Sequence, residues 1–460
     1  MPAVHPFRAV QYNHGKGDVS DLIAPPYDVL DLNQKKALLN KNEHNIVSVD
    51  LPHVPAKELG PKEAYQASAD KLASMIASGV MAQSDSPAIY AYRQTFEFQG
   101  STFLRCGMVA TVDTVPFGNR DGGGILAHEQ TFGGPKEDRM ALMKATQCQT
   151  SPIFGLHPDE DGEAVKILHA VMDSRDADMT ADMGDGIKQE IWTITDTATI
   201  GAYQKALEGE DIFVADGHHR YNTALNYLES LGDVPADHPA RRTMYVLVSM
   251  SDPGLAIGPT HRVLGGMEDY TIEKFIEASA GILNIEPIDN NPHTFEAQMA
   301  TLAERERTKN VFGIFDYATG LCFGAWPAVN DPLDAQFPKQ SEAWRTLDVA
   351  LIQHLIVEEI CQPELNKGEP IKWAFPHSID EVIAIGKGEE TGSSIAGGGK
   401  PQLAVIVRPT PLDAVRDISR GRVDASEVDL LLPQARDGAL GEPALLSVDN
   451  QKSISTAAGS

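Results

Sequence analysis

The stretch IFVADGHHRYNTALNYL, residues 212–228, constrains this chain more than any other. Its apolar start, Ile212 to Ala215, reads as a strand. Asp216-Gly217-His218-His219-Arg220 then opens directly into an amphipathic helix, with Tyr221, Ala224, Leu225, Leu228 and Leu231 at helical spacing and Gly232 as a stop. A strand, a glycine turn and a helix start gather backbone N–H groups and the positive dipole end around one point. Arg220 adds a fork of donors shaped for phosphate or carboxylate, and Asp216, His218 and His219 add acid–base or metal-binding capacity. The alternative is a corner whose polar residues only cap the helix. Five polar or permissive residues in succession exceed what a cap needs, so the corner reads as an anion-handling site.

With 460 residues the chain can bury ample core and hold two or more domains. A net charge of −27 argues against a general nucleic-acid binder, which needs a basic face, though it permits a local basic pocket. Cys106, Cys148, Cys322 and Cys361 are scattered without zinc-like or redox-like spacing and read as buried thiols of a reducing compartment. The first residues, MPAVHPFRAVQYNHGKG, carry no apolar signal core, and no run is long and apolar enough to span a bilayer. A cytoplasmic location without membrane contact is expected.

Along the chain, Phe7 to Tyr12 reads as a short strand, Asp31 as the cap of a helix through Leu39, and Asn45 to Leu51 as a strand. Lys62 to Ser78 is an amphipathic helix ended by Gly79. Ala88 to Phe98 and Thr102 to Val112 form a hairpin through Gln99-Gly100. The acidic stretch from His157 to Gly186 has weak periodicity and is expected at the surface. Later windows predict helices over Thr271 to Ala280, Thr294 to Glu306 and Leu347 to Ile360, and a hairpin in VFGIFDYATGLCFGAW. A Gly-rich loop, Gly386 to Gly399, leads to the strand Leu403 to Val407, and a further helix is expected from Pro411 to Ile418. The division expected is a main phosphate- or nucleotide-binding domain over 1–267, a second domain over 268–420, and a tail over 421–460. The fold class is α/β or α+β.

Three further clusters could carry chemistry. In HEQTFGGPKEDR, residues 128–139, Pro135 suits the first helical position, and Lys136 and Arg139 share a face of the first turns. Cations there oppose the helix dipole, which an anionic ligand would explain; neutralisation by Glu137 and Asp138 is the alternative. The segment lacks the Gly-Lys-Ser/Thr of a Walker loop and the HExxH zinc motif. In IAPPYD, residues 23–28, two prolines stiffen the approach to Asp28, which could serve as a base or magnesium ligand or merely begin a turn. Thr260-His261-Arg262 repeats a His-Arg pair after the strand Tyr245 to Met250. The recurrence of His128 with Arg139, His219 with Arg220 and His261 with Arg262 would suit a phosphate group.

With those segments in view, the chain resembles the domain-of-unknown-function family 1015. The resemblance rests on PFRAVQY, IAPPYDV, HEQTFGGPKEDRMALM, TSPIFGL, ADGHHRYNTAL and PTHRVL, and more weakly on LDVALIQHLI and VRPTPLDAV. Where the family ends on a Met-Pro-X-Lys-Ser-Thr-type segment, this chain reads Val423 to Asp429 (VDASEVD). The Asp-Gly-His-His-Arg motif is similar to the signature of the ParB/sulfiredoxin-like superfamily, which includes kinases of free L-serine. The resemblance implies a ParB/sulfiredoxin-like mixed core with a smaller α+β domain, and ATP or ADP with Mg²⁺ as cofactors. It implies phosphate contacts from His218, His219 and Arg220, with Asp216 or Asp28 near the reacting hydroxyl. Beside the resemblance, Gly217, His128, Lys136, Arg139, Thr260, His261 and Arg262 are expected to help hold a phosphate or nucleotide, and Glu129 is a further catalytic candidate.

Two functions follow as expectations. One is a phosphotransferase acting on a small hydroxylated metabolite, free L-serine foremost, since phosphoryl transfer asks mainly for positioning and charge neutralisation. The other is a non-catalytic regulator that binds a nucleotide or phosphometabolite at the same site. A metal-dependent hydrolase on His218, His219 and Asp216 ranks last, because adjacent histidines point apart. Oligomeric state is not readable.

Overall fold

The computed structural model describes residues 2–13, 17–27, 30–56, 58–98, 101–118, 120–127, 133–182, 184, 186–255, 258–338, 340–389, 395, 399–408 and 445–448. It is a mixed α/β structure in two compact units, residues 1–256 with 437–460 and residues 257–436.

The first unit is organised by a mixed sheet of ten strands among the described residues. The predicted hairpin is present as Ile89–Phe98 and Ser101–Asp113, paired antiparallel with Tyr90 opposite Val109. Lys188–Ile194 extends it on one side and Arg242–Ser249 on the other, both antiparallel. Beyond Arg242–Ser249 lies Ile153–His157, parallel to it, and then Ile212–Asp216, antiparallel to Ile153–His157. Ile125–Leu126 pairs parallel to Ile212–Asp216. Helices Glu163–Ser174 and Thr197–Ala206 bring Ala164, Leu168, Met172, Ile200 and Tyr203 into one core with Ile89, Ala91 and Met108. Each such side chain contributes roughly 1.5–3 kcal/mol relative to exposure, before entropy is set against it. Helices Lys62–Ala77, Gly133–Thr146 and His218–Leu231 pack in succession, the last two through Met143 and Tyr227.

Local chemistry accounts for the ends of these elements. Asp31 closes a reciprocal capping box with Gln34 at the start of helix Leu32–Lys41. Gly79, after helix Lys62–Ala77, adopts φ 76°, a conformation that favours glycine.

The described strands and helices correct three expectations. Residues 47–50, read as a strand, form a short helix: the Asn45 side chain accepts from Val47 N–H and donates to the carbonyls of Asp21 and Ile23, which folds the backbone into a turn. The acidic stretch after His157 is not mere surface structure. Ala164, Leu168 and Met172, four apart, form a buried helical stripe that the surrounding carboxylates obscure in the sequence, and Met179–Asp182 pairs with Lys188–Ile194. The first strand is shorter than read, Val10–Tyr12, with Phe7 making an isolated bridge to Ala88. Strand Leu445–Val448, which sequence pattern did not single out, pairs with Val10–Tyr12 and with Cys148–Gln149. Gln99, Gly100 and the expected helix from Pro411 to Ile418 lie outside the described residues.

The second unit is built on an antiparallel sheet in the order Leu283–Pro287, Cys322–Pro327, Phe312–Asp316, Pro401–Ile406, Arg262–Gly265, Lys372–Ala374. Leu403 and Val405 face one core and Ala404 and Ile406 the other, so both faces are covered and the strand reads as a continuous apolar run. On the first face packs the segment predicted as the Leu347 helix, α-helical over Asp348–Leu351 and wound as a π-helix over Ile352–Cys361. Helix Phe295–Glu306 and helix Ile379–Lys387 cover the other face. Among the described residues no helix is long and apolar enough to cross a membrane.

Candidate functional site

The Asp216 corner forms as the sequence implies. Strand Ile212–Asp216 shifts register between Val214 and Asp216 against Ile153–His157, which leaves Ala215 out of the pairing. Gly217 follows with φ 95°, and helix His218–Leu231 starts on it, Tyr221 N–H donating to the Gly217 carbonyl at 2.8 Å. Glycine is needed twice over here. The backbone is left-handed, and a Cβ would meet Arg220 Nε and Ile153 Cδ1 at 3.1 Å.

Arg220 folds back over this turn. Its guanidinium ion-pairs with Asp216, four residues earlier, and donates to the Pro152 carbonyl at 2.5 Å. Both side chains remain partly open, Arg220 at 16% and Asp216 at 26%. His218 is buried, and burial pushes its imidazole pKa down to about 4. At neutral pH it is an uncharged ring and acts through hydrogen bonds, not as a cation. His219 is half-buried on the same first turn, its carbonyl accepting from Thr223 Oγ1 at 2.8 Å.

Pro152 ends the Thr150-Ser151-Pro152 run, and that run leads to a second cation. Thr150 Oγ1 and Ser151 Oγ both donate to buried Asp50, the latter at 3.2 Å. Asp50 accepts from Arg139 Nη1 at 3.2 Å through its carboxylate and at 2.8 Å through its carbonyl. Arg139 Nε donates to Asp138 at 2.8 Å, and the guanidinium lies 3.7 Å over the Tyr27 ring. Asp138 in turn accepts from Tyr65 O–H at 2.7 Å, with His53 Nε2 3.4 Å away. Burial works against the Arg139 charge, but Asp50, Tyr27 and Asp138 together outweigh it and hold the group protonated. Four separated sequence segments (IAPPYD, GGPKEDR, TSP and ADGHHR) are therefore joined in one polar chain, with Asp50 as its link. Asp138 neutralises Arg139, the alternative the sequence offered, though inside the fold and not on a solvated face. Asp50 escaped the sequence reading; the only available signal was that HNIVSVDLP sets one carboxylate among apolar residues.

A small recess of about 30 Å³ runs between Arg139 and Arg220, lined also by Gln149, Thr150, Ser151 and Thr223. It has room for roughly two waters, so any larger ligand must extend outside it. A cavity of about 400 Å³ beside Gln11, Asn13, Ser84 and Asp85 is roomier but has no cation in its lining, which leaves it unsuited to phosphates.

Of the remaining candidates, Lys136 is half-buried on helix Gly133–Thr146 and has no ion-pair partner among the described residues. Asp28, His128 and Glu129 lie outside the described residues. Thr260, His261 and Arg262 belong to the second unit. There His261 N–H donates to the Pro376 carbonyl at 2.8 Å, its Nδ1 accepts from Val407 N–H at 3.3 Å, and burial pushes its pKa down to about 3. Arg262 donates to the Thr260 carbonyl at 2.7 Å and lies 5.0 Å over Phe375, its pKa brought down to about 10 by burial. Among the described residues Asp216, His218 and His219 do not converge as a three-ligand metal set.

Solved structures resembling this chain include a free serine kinase mutant bound to AMP and another bound to ADP. Each has 12% sequence identity and a TM-score of 0.30, over 70% of this chain and 88% of that one. A likeness of that degree assigns no ligand or substrate. No curated protein matches. The family model described as protein of unknown function, DUF1015, matches residues 4–350, and the chain belongs to that family.

Proposed function

We propose that this protein is a phosphotransferase that moves a phosphoryl group from ATP or ADP to a small hydroxylated metabolite, free L-serine being the first acceptor to try. One observation carries the reading: the Asp216–Arg220 pair stands partly open at a helix N-terminus, beside a recess lined by the polar side chains of Gln149, Thr150, Ser151 and Thr223. An incoming phosphate would compete with Asp216 for Arg220 and take up the first-turn N–H groups of helix His218–Leu231. The displaced Asp216 carboxylate would then be available to accept the acceptor's hydroxyl proton. Neutral His218 would add a hydrogen bond, and Lys136 a second positive charge. Asp216 is a hard oxygen donor of the kind Mg²⁺ takes, and bound Mg²⁺ would supply charge neutralisation of the phosphates.

The test is mass spectrometry of the full chain incubated with Mg²⁺, ATP or ADP, and a panel of hydroxylated amino acids and hydroxy acids. A phosphorylated product that disappears in Asp216→Asn, with nucleotide affinity kept or raised, is the expected result. Normal turnover in Asp216→Asn would refute the role given to that carboxylate. Nucleotide binding without any product would leave the same corner as a regulatory nucleotide sensor.

A further inference from the structure

A second set of chemistry-bearing side chains lies away from the Asp216 corner. Cys106 comes from strand Ser101–Asp113, His169 from helix Glu163–Ser174, and Asp252 from the turn after strand Arg242–Ser249. A thiol sulfur, an imidazole nitrogen and a carboxylate oxygen from these three lie within 4.8 Å of one another. Nothing in their sequence spacing announces the set, since the sheet and its covering helix bring them together.

Two of the three are rigidly placed. Asp252 accepts from Cys106 N–H at 3.3 Å and from Gly254 N–H at 2.8 Å, so its carboxylate is fastened to the strand that presents the thiol. Gly254 lies so close to that strand that a Cβ would sit 1.9 Å from the Leu104 carbonyl oxygen. Leu168 and Met172 are buried against the sheet and anchor the helix, while His169 itself is exposed. Asp173, one turn beyond His169, is close enough to act electrostatically on the Cys106 thiol.

A nucleophilic cysteine is not the reading this supports. Burial first, and then Asp252, pushes the Cys106 thiol up to about 12, whereas a nucleophile needs a lowered pKa. A thiolate, an imidazole and a carboxylate are the donor types taken by zinc, whereas Mg²⁺ and Ca²⁺ prefer oxygen alone.

We propose that Cys106, His169 and Asp252 form a binding site for a zinc-class divalent transition-metal ion, with a fourth position for water or Asp173. Ligand bonds of about 2.0–2.3 Å around a tetrahedral ion set how closely the donors must approach. The exposed His169 can adjust to that spacing by a rotamer change while Cys106 and Asp252 stay in place. Binding converts the thiol to a thiolate and releases its proton to solvent, so affinity falls as pH is lowered.

The experiment uses the full chain, stripped with a chelator and titrated with Co²⁺ alone, followed by Zn²⁺ competition. One Co²⁺ per chain is expected, with a thiolate-to-cobalt charge-transfer band that Zn²⁺ abolishes. His169→Ala, a surface change that leaves the core intact, should weaken Co²⁺ binding by about 100-fold or more, at least the loss seen when a ligand's hydrogen-bond partner is removed. Cys106→Ser should remove the charge-transfer band. Absence of Co²⁺ binding, binding unaffected by His169→Ala, or a band that survives Cys106→Ser would each overturn the proposal. Should Cys106→Ser fail to fold, the His169→Ala titration decides alone.

Discussion

Truncating Arg139 to leucine tests whether the guanidinium is there for the fold or for a ligand. Arg139 is almost wholly buried, and it is the cation between Asp50 and Asp138, which are 3% and 1% exposed. Removing one partner of a buried pair costs about 3–5 kcal/mol, because the charge left behind has lost its compensation. Here two carboxylates are left behind, along with the face of Tyr27, which puts the expectation at the upper end of that range. For a unit of this size the midpoint of thermal unfolding should drop by roughly 6–20 °C. Urea or thermal unfolding of both proteins at neutral pH, without nucleotide, is the assay. A deficit below about 1 kcal/mol would refute the structural role and return Arg139 to ligand binding.

Two further outcomes are expected. Gly217→Ala places a side chain at φ 95° and within 3.1 Å of Arg220 Nε, so it should cost at least ~1–2 kcal/mol and weaken nucleotide binding by moving Arg220; unchanged stability would refute the account of the turn. His218, held at about 4 against ~6.5 unfolded, lets the unfolded chain take a proton that the native one refuses. Stability should therefore fall as pH drops from about 6.5 to about 4, and His218→Gln should flatten that slope in a pH series of unfolding curves; an identical slope would show that the ring is not buried neutral.

What was legible in the sequence was whatever depends on near neighbours. The strand–glycine–helix corner, the paired strands Ile89–Phe98 and Ser101–Asp113, the Asp31 cap and the strand at Leu403 are all set by periodicity or capping within a few residues. Long-range partners were not legible. Asn45 to Leu51 has the β-branched texture of a strand, yet the Asn45 side chain bonds a distant loop and turns the backbone into a helix, which delivers Asp50 to Arg139. No local rule names a partner 89 residues away. Cys106, His169 and Asp252 were illegible for the same reason.

The two arginines that the sequence makes look alike are thus in different electrostatic situations. Arg139 is enclosed, with two carboxylates around one guanidinium, and a phosphate approaching it would meet net negative charge. Arg220 has one carboxylate, Asp216, and both members of that pair keep some access to solvent. Exchanging one carboxylate for a phosphate at a partly open pair costs far less desolvation than breaking into a buried cluster. Arg139 therefore acts on the corner indirectly, by fixing Asp50 and through it Thr150 and Ser151, whose neighbour Pro152 holds Arg220 by its carbonyl. Under the proposed function, ligand exchange would belong to Arg220 and Asp216, while Arg139 would keep the recess in shape.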